Sequence, residues 1–139
     1  MKSFSGTARY TIELPRPTAP AGTTAWRFDL GAIHESARIV LNGQELGTFI
    51  GPWYRVDVPV DALKDRNVLE VEVSNLMANR IADLDRRGVP WKKFYNVNFP
   101  PRLAANRGSE GLFSAASWSP LPSGLAGPVT LTPLKPKAF

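Results

Sequence analysis

Residues 33–75, IHESARIVLNGQELGTFIGPWYRVDVPVDALKDRNVLEVEVSN, decide the fold, because short strand patterns alternate there with turn signals. Within residues 38–41, Arg38 is followed by the β-branched Ile39 and Val40 and the apolar Leu41. Asn42-Gly43 comes directly after them. Asn-Gly is a strong hairpin signal, since both central residues of a type I′ turn need positive φ. Residues 45–49 are then the returning strand. The stretch therefore predicts an antiparallel sheet built from hairpins.

The same alternation of apolar and polar positions continues outside this hairpin. Trp26 and Phe28 share one face of their segment, which predicts that both are core residues. Many short strands with turns between them favour an all-β antiparallel β-sandwich or jelly roll. A chain of 139 residues predicts a single domain spanning residues 1–139. The predicted strands are residues 8–14, 25–30, 38–41, 45–49, 54–58, 68–73, 112–118 and 129–134, the last at a sheet edge because it contains Pro133.

Composition limits the classes of site and the expected compartment. The chain has no cysteine, which excludes disulfides and thiolate metal sites. Its first residues lack the apolar segment of a signal peptide, and no apolar run is long enough to span a membrane. These features fit either a cytoplasmic protein or, in the interpretation we favour, a domain of a longer enzyme that is secreted or periplasmic.

Positive charge is concentrated in an irregular stretch, residues 76–110. The net charge is +5 and the pI is about 9.9. The cations fit either an ordinary solvated surface or a patch for an acidic sugar. Residues 77–86 have helical apolar spacing, and the remainder of the stretch predicts a long loop, which in a compact domain is often functional. The cations are Arg80, Arg86, Arg87, Lys92, Lys93, Arg102 and Arg107.

No self-contained catalytic set is visible in the sequence. His34 is the only histidine, and neighbouring residues on a strand point to opposite faces, so Glu35 cannot orient it. Glycoside hydrolysis usually needs two facing carboxylates. Asp83 and Asp85 are close in sequence, but ion pairing with nearby arginines is the simpler prediction. The chain is therefore expected not to be an enzyme by itself.

Sugar binding needs an aromatic stacking platform with polar groups at its edge. Several aromatic residues lie in irregular, proline-flanked segments, where exposure and core filling are both open. Arginine could also pair with a uronate carboxylate through two hydrogen bonds. The candidate ligand-binding residues are Arg80, Trp91, Lys92, Tyr95, Asn96 and Trp118.

Several motifs together resemble a known domain family. HESARIVLNGQELG is followed by a Pro-aromatic crossover and then by VDVPVDAL and NVLEVEVSN. Outside this block lie FSGTARYTIELP, WRFDLG, ANRIADLDRRGVPWKKF and SGLAGPVTLTPL. In order and spacing these segments resemble the galactose-binding-like β-sandwich of glycoside hydrolases, above all the α-L-rhamnosidase and the β-galactosidase and β-glucuronidase types. The resemblance spans nearly the whole chain.

The resemblance implies a non-catalytic carbohydrate-binding module of a glycoside hydrolase. Its ligand would be a plant or algal polysaccharide containing rhamnose or uronate, and its other partner the enzyme's catalytic domain. A structural domain that braces a catalytic barrel, without sugar binding of its own, is the alternative. Single-stranded nucleic acid ranks below both, although WKKFYNVNFPPR mixes cations with aromatics, because no known nucleic-acid motif is matched.

No cofactor is expected to be required, but a structural calcium ion is a candidate. Jelly-roll sugar-binding domains often hold calcium through carboxylate and carbonyl oxygens near a loop end. Asn79, Asp83 and Asp85 could contribute such ligands, although the chain carries no calcium-loop motif.

Overall fold

The computed structural model describes residues 3–93 and 100–136. Its helix α1 is Ala78–Arg86, and short 3-10 helices lie at Val60–Ala62 and Ala104–Asn106. The strands are β1 Thr7–Pro15, β2 Ala25–Asp29, β3 Ala32–His34, β4 Ser36–Leu41, β5 Gln44–Ile50, β6 Arg55–Pro59, β7 Arg66–Ser74, β8 Gly124–Gly127 and β9 Thr130–Leu134.

The chain divides into two compact units. The first, called the sheet unit here, comprises Thr7–Asn75 and Ser123–Phe139 and contains all nine of these strands. The second, called the helix unit, comprises Met1–Gly6 and Leu76–Pro122 and contains α1.

The sheet unit is an antiparallel β-sandwich, which confirms the predicted all-β fold. One sheet has the strand order β1-β7-β4-β5, a second has the order β6-β2-β9, and β3 pairs with β8. All the strand pairs within these sheets are antiparallel. The edge position predicted for the strand with Pro133 is confirmed, since β9 lies at the edge of its sheet.

The core of the sheet unit joins the inner faces of the two larger sheets. Trp26 and Phe28 come from β2, and Ile39, Leu69 and Val71 come from β4 and β7; all five are buried in one cluster. Burial of such side chains contributes about 1.5–3 kcal/mol each, which makes this cluster the main source of stability in the sandwich. The prediction that Trp26 and Phe28 are core residues is confirmed.

The predicted hairpin forms between β4 and β5. Asn42 and Gly43 have φ angles of 53° and 83°, as a type I′ turn requires. The Asn42 side chain also links the turn to β7: its Nδ2 donates to Asn67 Oδ1 (3.0 Å), and its Oδ1 accepts from Val68 N–H (2.9 Å). The turn residue thus fixes its own hairpin and the neighbouring strand.

The structure departs from the predicted strands at two places. The short strands β3 and β8 were not predicted. β3 has only three residues and β8 has four, two of them glycine, so neither shows a detectable alternation of apolar and polar positions. A strand was predicted at residues 112–118, but none forms there; Ala115 N–H donates instead to the Asp85 carboxylate.

Helix α1 of the helix unit matches the prediction for residues 77–86 within one residue. Its buried residues are Asn79 and Ala82. Asn79 Nδ2 donates to Leu121 O (2.9 Å), and Asn79 Oδ1 accepts from Leu121 N–H (2.8 Å). Because both polar atoms of this buried amide are paired, its burial costs little free energy. The amide therefore holds the start of α1 against Leu121.

Candidate functional site

Four of the six predicted ligand-binding residues lie in the described part of the helix unit. Trp91, Lys92 and Trp118 gather beside the end of α1, while Arg80 lies on the first turn of that helix. Tyr95 and Asn96 fall in residues 94–99, outside the described residues. The structure therefore brings three of the predicted residues to one place.

Asp85 is the centre of this group, called the Asp85 cluster here. Its side chain is only 4% exposed. Trp91 Nε1–H and Lys92 Nζ donate to Oδ1 at 2.7 Å and 2.9 Å, and Ala115 N–H donates to Oδ2 at 2.7 Å. A buried carboxylate with three donors is well satisfied, so it can hold two loops to the helix end.

The electrostatics of Asp85 favour its ionised form. Burial by itself raises the pKa of Asp85, but the hydrogen bonds from Ala115, Lys92 and Trp91 outweigh burial. Together with the charge of Lys92 they hold its pKa below the ordinary value of 3.8. At neutral pH the cluster therefore contains a carboxylate that accepts hydrogen bonds and cannot serve as a general acid.

Three aromatic rings continue from Asp85 in a row. Trp91 meets Phe113 edge to face with 6.5 Å between ring centroids, and Phe113 meets Trp118 in the same way at 5.8 Å. Trp118 Nε1–H donates to Asn106 Oδ1 (2.9 Å). Both indole rings are half-buried and held by their N–H groups, so any ligand would meet rigid ring surfaces. Phe113 was missed by the sequence analysis, since no periodicity marks its segment.

The cations of this unit are mostly used within the fold. Arg86 donates to the carbonyl oxygens of Ala116 (3.0 Å) and Trp118 (2.5 Å). Arg80 and Arg87 pair with Asp83 at 3.6 Å and 3.0 Å. The predicted pairing of Asp83 with arginines is therefore observed, whereas Asp85 pairs with Lys92.

The three predicted calcium ligands are all engaged by protein groups. Asn79 bonds Leu121, Asp83 pairs with two arginines, and Asp85 accepts from three donors. Within residues 3–93 and 100–136 no group of three or more His, Cys, Asp or Glu side chains could hold a metal ion. A calcium ion would have to displace existing contacts at each of these side chains, and the calcium site stays a prediction.

Two further predictions concern the role of His34 and the presence of membrane-spanning segments. His34 lies in β3, where it pairs with Gly124, consistent with a structural role. Across the described residues, no helix is long and apolar enough to cross a membrane.

The chain is similar to parts of several known glycoside hydrolases. No family model matches the chain. A protein named as a β-glucuronidase, from Formosa agariphila, is 33% identical over the whole chain. The solved structure of a rhamnosidase from Novosphingobium sp. PP1Y is 28% identical over 94% of the chain, with a TM-score of 0.64. A Bifidobacterium dentium β-glucuronidase structure matches 52% of the chain at 26% identity, with a TM-score of 0.44.

The chain spans a small part of each of these proteins: 13% of the Formosa protein and 11% of the rhamnosidase. The sandwich described above and the matches to the Formosa protein and the rhamnosidase agree with the resemblance carried by the sequence motifs. Over nearly its whole length the chain is therefore similar to one part of each of these two proteins, consistent with the galactose-binding-like β-sandwich that the motifs resemble.

Proposed function

We propose that residues 1–139 are one non-catalytic, carbohydrate-binding module of a longer, exported glycoside hydrolase. The observation that carries the proposal is the match of the whole chain to about a tenth of two such enzymes. A segment of that size leaves the catalytic machinery elsewhere in those relatives. The relatives' names, rhamnosidase and β-glucuronidase, support a ligand that contains rhamnose or uronate, and we propose that this ligand is a plant or algal polysaccharide.

The proposed site on the helix unit is the Asp85 cluster, and Arg80 on the first turn of the same helix is its candidate partner for a ligand carboxylate. Trp91 and Trp118 supply half-exposed ring surfaces whose orientation is fixed through their N–H groups. Arg80 is more exposed, and its contact with Asp83 is long, at 3.6 Å. Exposed ion pairs of this kind contribute little to stability, so the guanidinium is available to a ligand carboxylate.

Calorimetric titration of the full 139-residue chain with neutral and uronate-containing oligosaccharides tests this proposal. The titration is run with calcium and again with a chelator, so that the predicted calcium requirement is tested too. Arg80→Ala should weaken binding of uronate oligosaccharides about tenfold, equivalent to about 1.4 kcal/mol. Arg66→Ala is the matched control, because Arg66 lies in the sheet unit and its side chain is 90% exposed. Equal affinity of the two variants would remove Arg80 from the site.

A bracing domain is the second candidate, and one observation favours it. The described part of the helix unit exposes several large apolar side chains, and exposed apolar surface is typical of a docking face. These residues are Leu76, Met77, Val89, Leu103, Leu112 and Leu121. If bracing is the function, no glycan produces binding heat. The isolated chain then binds a hydrophobic dye, and Met77→Ser or Leu103→Ser reduces that signal.

A further inference from the structure

The most exposed aromatic platform of the described chain lies in the sheet unit, outside the Asp85 cluster. Trp53 follows β5 and is 68% exposed, and Ile50 at the end of β5 is 84% exposed. Exposed apolar surface with polar groups around it is one mark of a ligand-binding site.

One face of the Trp53 ring is covered by a fixed cation. The guanidinium carbon of Arg55 lies 4.9 Å from the ring centroid. Arg55 Nε donates to Asp29 Oδ2 (2.6 Å), and Asp29 Oδ1 accepts from Gly31 N–H (2.9 Å). These contacts hold the cation in place, and the cation orients the indole. Since most of the Trp53 surface is exposed, the opposite ring face is open to solvent.

The two chain neighbours of Trp53, Pro52 and Tyr54, line an open pocket of about 440 Å³. Its walls include Ile50 and Pro52, which flank the loop before Trp53, and Glu35, whose carboxylate is exposed. Tyr54 closes the base, where its hydroxyl donates to the backbone carbonyl of Glu35. A flat ring beside a pocket with one carboxylate suits a pyranose, which offers C–H groups to the ring and hydroxyls to the acceptor.

The charges around the pocket select a neutral sugar. Arg55 is paired with Asp29, and Arg27 is paired with Asp57 in the same β2–β6 register, so both cations are neutralised. Among the described residues, Glu35 in the pocket wall forms no ion pair. The N–H of Gly31 and the guanidinium of Arg55 hold the pKa of Asp29 below its ordinary value, and Arg27 does the same for Asp57. Glu35 therefore leaves one carboxylate in the pocket wall without a cation beside it, and this carboxylate repels a uronate.

We propose that Trp53 and Glu35 form a second carbohydrate subsite, selective for a neutral pyranose. Trp53 stacks on the sugar ring, Arg55 orients Trp53, and Glu35 accepts hydrogen bonds from hydroxyl groups. The proposal rests on the proposed carbohydrate-binding function and adds a site and a ligand class to it. It separates the neutral-sugar contact on the sheet unit from the uronate contact on the helix unit.

The test is calorimetric titration of the full chain with neutral oligosaccharides, rhamno- and galacto-oligosaccharides among them. Trp53→Ala should weaken their binding at least about tenfold. Trp53→Phe should keep a large part of the affinity, because it retains a flat ring. Glu35→Gln should bind more tightly than Glu35→Ala. Val68→Ala is the control, since it shortens an exposed apolar side chain elsewhere on the sheet unit.

Each outcome bears on a different claim. Loss of neutral-sugar binding in Trp53→Ala but not in Arg80→Ala supports the second subsite. Loss in Arg80→Ala but not in Trp53→Ala overturns the subsite and leaves the proposed function standing. Tighter binding of uronates than of neutral sugars through Trp53 also overturns it. Absence of binding to every glycan by the unmutated chain overturns both proposals.

Discussion

Replacement of Asp85 tests the claim that one carboxylate organises the helix unit. Asp85→Ala removes three hydrogen bonds to a charged acceptor, from Ala115, Trp91 and Lys92. A hydrogen bond to a charged group contributes about 1.5–3 kcal/mol, and an unpaired buried donor costs about 1–3 kcal/mol. Lys92 and Trp91 are half-exposed and can turn to water, so the lasting penalty is the unpaired Ala115 N–H and the lost packing.

From these contributions we expect Asp85→Ala to lower the free energy of unfolding by about 3 kcal/mol. Asp85→Asn keeps the shape and one acceptor oxygen, and about half of that loss is expected. Asp83→Asn is the matched control, since Asp83 lies on the same helix but makes only ion pairs with exposed arginines. Pairs of that kind contribute at most about 1 kcal/mol.

The assay is urea denaturation followed by tryptophan fluorescence, because Trp91 and Trp118 lie in the perturbed cluster. The prediction is a clear order of stability: unmutated chain and Asp83→Asn highest, Asp85→Asn next and Asp85→Ala lowest. Equal losses for Asp83→Asn and Asp85→Ala would refute the reasoning, since burial and hydrogen bonding would then not decide the cost.

Three further predictions follow from the same contacts. Because the folded pKa of Asp85 lies below 3.8, its contribution is complete above that pH and disappears as pH falls through the lower value. Denaturation between about pH 5 and 2 should therefore show the unmutated chain converging on Asp85→Asn, and a constant gap would contradict this. Asn67→Ala should cost about 2–4 kcal/mol in urea denaturation, because Asn67 is 1% exposed and pairs with four groups; Arg66→Ala should change stability by less than about 0.5 kcal/mol. Gly31→Ala should lower the melting temperature much more than Gly43→Ala, because a Cβ at Gly31 would lie 2.6 Å from the Gly127 backbone, whereas Gly43 faces open space. Similar shifts for the two glycine variants would show that positive φ alone sets the cost.

Local sequence signals predicted the sandwich well where a single strand or turn carries its own pattern. The Asn42-Gly43 hairpin is decided by the φ preferences of two adjacent residues, so it needs no tertiary information. The alternation of β7 likewise follows from burial of one face. β3 and β8 escaped prediction because they are short and owe their pairing to neighbouring strands.

The candidate sites were harder to predict than the fold. The sequence pointed to Trp91, Lys92 and Trp118, and the structure gathers these three beside Asp85. It gave no sign of Phe113, since ring contacts between distant segments leave no periodic pattern. The Asn79 amide was predicted as a metal ligand, but its two polar atoms pair with a residue 42 positions away.

The exposure of Trp53 could not be predicted from the sequence either. Its exposure depends on how the β5–β6 connection leaves the sheet and on the Arg55–Asp29 pair that holds its ring. Arg55 and Asp29 are opposite each other in the β2–β6 register, 26 residues apart in the chain. Only the assembled sheet reveals that one aromatic is fixed and open.

The most direct test of the account combines binding and catalysis in a single sample. The full chain is titrated calorimetrically with neutral and uronate-containing polysaccharide fragments, and the mixtures are then assayed for released reducing ends. We predict saturable binding with no release of sugar, as expected for a non-catalytic carbohydrate-binding module. Absence of binding to every fragment, or hydrolysis by the chain alone, would contradict it.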